Sequence, residues 1–186
     1  MQNLFTDKKK VGDVEYTFSA KVLRKGERNG VNYQTDVIQI TYELKNTGDK
    51  SYLVYNRGHF GTNDSVVYVE PLKDGTIEIS QKAFREPKDR NCPQRFVQIV
   101  PNASWLKSKQ TVQQQIEVAL PLEPKTPFDD CTPPLEMPTK IAKTKFCLGI
   151  SEADASKVKI TDKGFVQGWQ DVKEQQLLCS DMVELK

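Results

Sequence analysis

Val14–Glu15–Tyr16–Thr17–Phe18–Ser19–Ala20–Lys21–Val22 is the stretch that decides the fold. Apolar side chains occupy every even position and polar ones every odd position. A period of two belongs to a strand with one buried face, whereas a helix would repeat its apolar residues every three to four positions. The pattern returns at Ile38, Ile40, Tyr42 and Leu44, which alternate with Gln39, Thr41 and Glu43. Asn29–Gly30 lies between the two stretches and suggests a hairpin. A two-residue turn pairing Arg28 with Val31 would, however, set the apolar face of one strand against the polar face of the other. Either the loop is longer or bulged, or the two strands lie in opposite sheets.

Working outward, Asp74–Gly75 predicts a two-residue hairpin from Ser65 to Lys82, pairing Leu72 with Ile77, Tyr68 with Gln81 and Val66 with Ala83. Further strands are expected at Tyr52 to Asn56, Arg95 to Val100, Thr111 to Leu120, Ile141 to Ile150 and Gln176 to Leu185. Ser151 to Lys157 reads as a helical turn capped by Ser151. Six prolines between Pro121 and Pro138 exclude helix and central strand and make this stretch a long ordered crossing. The expected fold class is all-β: an immunoglobulin-like antiparallel β-sandwich with a proline-rich crossing (121–138) and a C-terminal strand extension. The expected organisation is a flexible N-terminal segment, 1–13, followed by one domain, 14–186. Trp105 and Trp169 are expected at the core margin.

The 186 residues carry 27 Lys and Arg against 25 Asp and Glu, a formal charge of +2. So balanced a chain offers no electrostatic case for nucleic acid. Hydrophobic residues make up 37% and aromatic residues 9%, enough for a patterned core. No window holds the eighteen or so consecutive apolar residues of a membrane-spanning helix, and Lys8, Lys9 and Lys10 are followed by no apolar run of a signal peptide.

Four cysteines and a single histidine contain no CxxC spacing and none of the usual zinc patterns. Two disulfides are expected, which favours an exported protein over a cytoplasmic one. Cys92 and Cys131 sit in loop-like surroundings, Cys147 and Cys179 in strand-like ones. Pairing like with like gives Cys92–Cys131 and Cys147–Cys179 among the three possible connectivities.

His59 is the one residue on which a Ser/His/Asp triad could be built, and no nucleophile elbow accompanies it. Tyr55, Arg57, His59 and Phe60 form the candidate binding patch, because aromatic residues and Arg dominate interface energetics. Asp89, Asp129 and Asp130 could approach one another across the first disulfide, but they lack the spacing of a calcium loop, so no metal and no cofactor is expected. The basic run Lys82, Arg85, Lys88, Arg90 and Arg95 is interrupted by acids. Asn63–Asp64–Ser65 and Asn102–Ala103–Ser104 are formal glycosylation sequons.

Ile38 to Gly48, with its Leu44–Lys45–Asn46–Thr47–Gly48 ending, resembles immunoglobulin-like domains of bacterial envelope proteins, as do Val100 to Val112 and Ile116 to Leu122. The resemblance covers Val14 to Leu122 and implies a sandwich and export. Lys45 to Asp49 is faintly similar to one loop of the chagasin-like peptidase inhibitors but lacks its Pro and second Thr. The expected function is an exported, non-catalytic binding or structural protein whose partner is another protein or an envelope component. The alternatives are a hydrolase or metal-dependent enzyme using His59 with loop carboxylates, and a peptidase inhibitor.

Overall fold

The computed structural model describes residues 2–59, 66–94, 101–141 and 143–184. Its architecture is all-β. Ten-residue strands β1 (Gln2–Val11), β2 (Val14–Leu23) and β5 (Val37–Asn46) join β10 (Thr111–Ala119) in a four-stranded antiparallel sheet of order β1-β2-β5-β10. Two short strands, β3 (Gly26–Arg28) and β4 (Val31–Tyr33), form a small hairpin of their own. The second sheet has six strands: β6 (Tyr52–Val54), β7 (Tyr68–Pro71), β8 (Thr76–Gln81), β9 (Ser104–Leu106), β11 (Lys143–Glu152) and β14 (Gln176–Cys179). The last two-stranded sheet pairs β12 (Lys159–Ile160) with β13 (Val166–Gln167), just before a 3₁₀ turn at Trp169–Asp171.

The first strand pair answers the register question. Asn29–Gly30 does turn Arg28 onto Val31, but only within the small hairpin. Below it, Leu23 pairs with Val37 and Phe18 with Tyr42, so even positions oppose even ones. Two residues link β2 to β3 and three link β4 to β5. The extra residue shifts the parity, and Asp36 fixes it by accepting hydrogen bonds from Arg24 Nη1 and Lys25 N–H, each at 2.7 Å. The loop is therefore the longer one, and β2 and β5 share a sheet. The segment 1–13, expected to be flexible, instead supplies β1, paired along its length with β2. Its alternation of half-buried and exposed side chains suits a strand at a sheet edge.

Even-numbered residues of β2 and β5 meet the second sheet in one core. Phe146 of β11 lies 5.1 Å from Phe18 and 5.9 Å from Tyr42, ring centre to ring centre, and Ile77, Ile79, Leu148 and Ile150 pack around it. A second cluster, Leu53, Tyr55, Ala83, Ala103, Ala153, Val158 and Val166, covers the opposite face of the six-stranded sheet, with Trp105 and Trp169 at its margin as expected.

The β7–β8 hairpin exists, but its register differs from the expected one by a residue: Tyr68 pairs with Ser80 and Val69 with Ile79. Gly75 takes the left-handed conformation at φ +79°, Gly75 N–H bonds to Leu72 C=O and Leu72 N–H to Thr76 C=O. This is a three-residue loop with a bulge, so the two-residue pairing is lost. Nor is the sandwich wholly antiparallel, because β8 and β11 run parallel. Cys147 lies opposite both Ser80 and Cys179, and Ile150 opposite both Val54 and Gln176. Hence β14 takes one flank of β11, while β8 and β6 share the other. Strand β11 is the spine of this sheet.

Ser151 belongs to β11, where β6 pairs with its last residues, so it caps no helical turn. The turn begins later, with Val158 N–H bonded to Asp154 C=O and Asp154 Oδ1 accepting from Ser156 N–H. The expected last strand is shorter, ending at Cys179. The strand expected at Arg95 to Val100 lies outside the described residues. Disulfides join Cys92 to Cys131, beside the Asn91–Thr132 bridge, and Cys147 to Cys179, directly opposed on β11 and β14. No helix of the described residues is long and apolar enough to cross a membrane.

Candidate functional site

Of the expected patch, Tyr55 and His59 are buried rather than exposed. Tyr55 follows β6 and is 1% exposed; its hydroxyl is 2.7 Å from Ser151 Oγ and its ring 5.6 Å from that of Trp169. Burial pushes its phenol up to about 12. His59 is 3% exposed, with Nδ1 2.7 Å from the Tyr68 hydroxyl and Phe84 stacked edge-on 6.0 Å away. The outer layer formed by the C-terminal third buries Tyr55, and this is why the local sequence suggested exposure. Arg57 is half-buried. Phe60 and the first sequon lie outside the described residues. Asn102 of the second sequon is fully buried, so its amide is not presented for a sugar.

Burial lowers His59 from its ordinary 6.5 to about 4, so the imidazole is neutral near pH 7. Beside this aromatic group lies an ion cluster on the outer face of β8. Lys82 Nζ is 2.6 Å from Glu78 Oε1 and 2.7 Å from Glu70 Oε2, and Lys145 Nζ is 3.0 Å from Glu78 Oε2. Burial alone would raise the Glu78 carboxyl, but Lys82 and Lys145 outweigh it and hold the group below its usual range. Glu78 also touches the second disulfide, 3.5 Å from Cys147 Sγ. The cluster is internally compensated and ties β7, β8 and β11 together.

The acidic residues weighed for calcium are engaged elsewhere. Asp129 Oδ1 accepts from Thr126 N–H at 2.8 Å, and Asp89 pairs with Lys73 at 3.6 Å. Among the described residues no three His, Cys, Asp or Glu side chains gather to hold a metal ion.

The feature with the clearest chemical capacity is an edge. Gln110 C=O accepts from Asn46 N–H at 2.9 Å and Leu120 N–H donates to Asp36 C=O at 2.8 Å, so even-numbered residues of this strand direct their backbone toward β5. Alternation then turns the backbone N–H and C=O of Thr111, Gln113, Gln115, Glu117 and Ala119 away from the sheet. Their side chains are exposed and contain no Lys, Arg or Pro. Gln39 Nε2 holds Glu117 Oε1 at 2.9 Å, and Gln113 Nε2 donates to the Glu43 carboxylate, which fixes the outer face of the strand.

The other edges of the two main sheets are guarded. Strand β1 has a register shift between Asn3 and Phe5 and carries Lys8, Lys9 and Lys10. Strand β7 ends in Pro71, and Val69 exchanges two 2.9 Å hydrogen bonds with Lys125 of the proline-rich crossing. Strand β9 has three residues, and the chain entering it is paired with Gly164 and Phe165. Cys179 C=O of β14 accepts from Lys9 Nζ and Tyr16 Oη, each at 3.4 Å. Short strands, lysines, proline and covering loops are the usual means of blocking strand addition. Among the described residues, β10 is the long edge that uses none of them. Period two at Thr111 to Leu120 marked it as a strand, but only the topology shows that it lies at an edge.

Compared with family models, with curated proteins and with solved structures, the chain has no significant match.

Proposed function

We propose that this chain is an exported, non-catalytic β-sandwich of the cell envelope, immunoglobulin-like in type, that binds or braces another protein by strand addition at β10. The observation that carries the reading is the unguarded backbone of Thr111 to Ala119 set among guarded edges. Export is supported by the two disulfides, which persist in oxidising compartments. The immunoglobulin-like assignment is supported by the two-layer core and by Leu44 to Gly48, where Asn46 ends β5 and its Oδ1 accepts from Gly48 N–H at 3.0 Å.

The test is cross-linked recovery from native envelope extract with the tagged wild-type chain and with Gln115→Lys. A protein recovered by the former and lost with the latter supports the reading. Recovery that ignores the substitution overturns it. So does a turnover, found in any hydrolase screen, that His59→Ala abolishes.

A further inference from the structure

We infer that the occupant of the β10 edge is a second copy of this chain, paired antiparallel about a two-fold axis through Gln115. The inference rests on the strand-addition reading and names its partner. Its basis is the self-complementarity of the strand Thr111–Val112–Gln113–Gln114–Gln115–Ile116–Glu117–Val118–Ala119. An axis at Gln115 places Gln115 against its own copy, Gln113 against Glu117 and Thr111 against Ala119. These are the residues whose backbone N–H and C=O point outward, so each such pair can exchange both hydrogen bonds as antiparallel geometry requires. Gln115 is the middle residue of the strand, so this axis gives all five outward residues a partner, whereas an axis through Gln114 or Ile116 would leave Ala119 or Thr111 without one inside the strand.

The side chains agree with the backbone in this register. Glu117, the one charged residue of the strand, falls opposite a neutral amide, so no like charges face each other. Val112 falls directly opposite Val118, a non-hydrogen-bonded pair on the inner side, where both are half-buried and pack against the core. Two copies of a chain with net charge +2 approach without strong repulsion. An unrelated extended peptide would gain the same backbone bonds, but nothing on the exposed face selects one: the outer side chains are uncharged except for Glu117, which is held by Gln39. Pairing would join the two four-stranded sheets into one continuous sheet across the axis and remove the edge from both copies.

Sedimentation equilibrium of the purified, oxidised chain tests this over a range from about 1 to about 300 µM, since an interface of one strand pair lies at the weak end of specific association. The expected result is a reversible monomer–dimer equilibrium, with a dimer of twice 21.2 kDa. Gln115→Lys places two like charges across the axis, and Gln115→Pro removes the central N–H; each should weaken the dimer at least about tenfold. Far-ultraviolet circular dichroism and the urea midpoint of Gln115→Lys check that the monomer still folds. A wild-type chain that stays monomeric throughout overturns the inference, as does a dimer indifferent to both substitutions. A monomer that still recovers a different envelope protein through β10 overturns self-pairing alone. A monomer with no β10-dependent recovery overturns the strand-addition reading as well.

Discussion

The four-stranded sheet leaves one face at the surface, whereas the six-stranded sheet is covered on both along β8 and most of β11. On β2 and β5, odd positions such as Thr17, Ser19, Thr41 and Glu43 are half-buried or exposed while their even neighbours are sealed. On β8 all six residues from Thr76 to Gln81 are buried. Alternation survives there as chemistry rather than exposure: Ile77 and Ile79 face the shared core, and Glu78 and Ser80 face a polar interior closed by Lys82, Lys145 and the second disulfide. An apolar–polar alternation therefore locates a strand without saying whether its polar side meets water.

Substitutions on the two sheets should make the contrast measurable. The largest effect is expected at Phe146→Ala, which empties the centre of the core that both sheets share; a loss of about 4 kcal/mol is expected in urea denaturation. Glu78→Ala comes next. It leaves Lys145 charged without its partner and Lys82 with Glu70 alone in a confined space, and should cost about 3 kcal/mol, against almost nothing if the outer face of β8 were solvated.

An effect of nearly the same size should appear with pH. His59 is kept neutral in the folded chain down to about 4, whereas the unfolded chain protonates it near its ordinary 6.5. The unfolded state thus binds the extra proton between these values, and lowering pH through that window favours unfolding. The His59 contribution is complete above about 6.5 and has fallen by roughly 3 kcal/mol at about pH 4. Urea midpoints taken across the window should fall with pH, and His59→Gln should flatten the fall. The smallest effect should be Ser19→Ala on the half-buried face of β2, below about 0.5 kcal/mol; a larger loss would mean that this face too is covered.

The same contrast explains what could be read in the sequence. The strands of the four-stranded sheet were visible because water reaches one side of them and imposes the alternation. Even the mismatch at Asn29–Gly30 was a true signal, resolved by one added residue at Asp36. The disulfide pairing was legible because like surroundings meet: two loops, and two strands. The second sheet was not legible to the same depth. Its parallel β8–β11 pair joins segments with the whole proline-rich crossing between them, and no local pattern encodes a partner so distant. The loop at Asp74–Gly75 was found but its type was not, because Gly75 serves a two-residue turn and a bulged three-residue loop equally well. Tyr55 and His59 looked like surface residues because the layer that covers Tyr55 and the strand that carries Tyr68 come later in the chain.

The position of β11 as the spine of the second sheet bears on how the chain reaches its fold. Strands β6 and β8 are made early, yet the strand that both pair with, β11, is not synthesised until most of the chain exists. Until then the β7–β8 hairpin has no strand on its inner edge and Ile77 and Ile79 lack Phe146 and Leu148, whereas β1, β2 and β5 already hold one another as a meander. A chain emerging from its N-terminus can therefore order β1, β2 and β5 at once, but must carry the β7–β8 ribbon with one edge unpaired until Lys143 to Glu152 arrive. Closure over so long a sequence separation is slow and leaves that ribbon open to aggregation in the interval. The fold thus places a demand on timing that the β1–β2–β5 meander does not share.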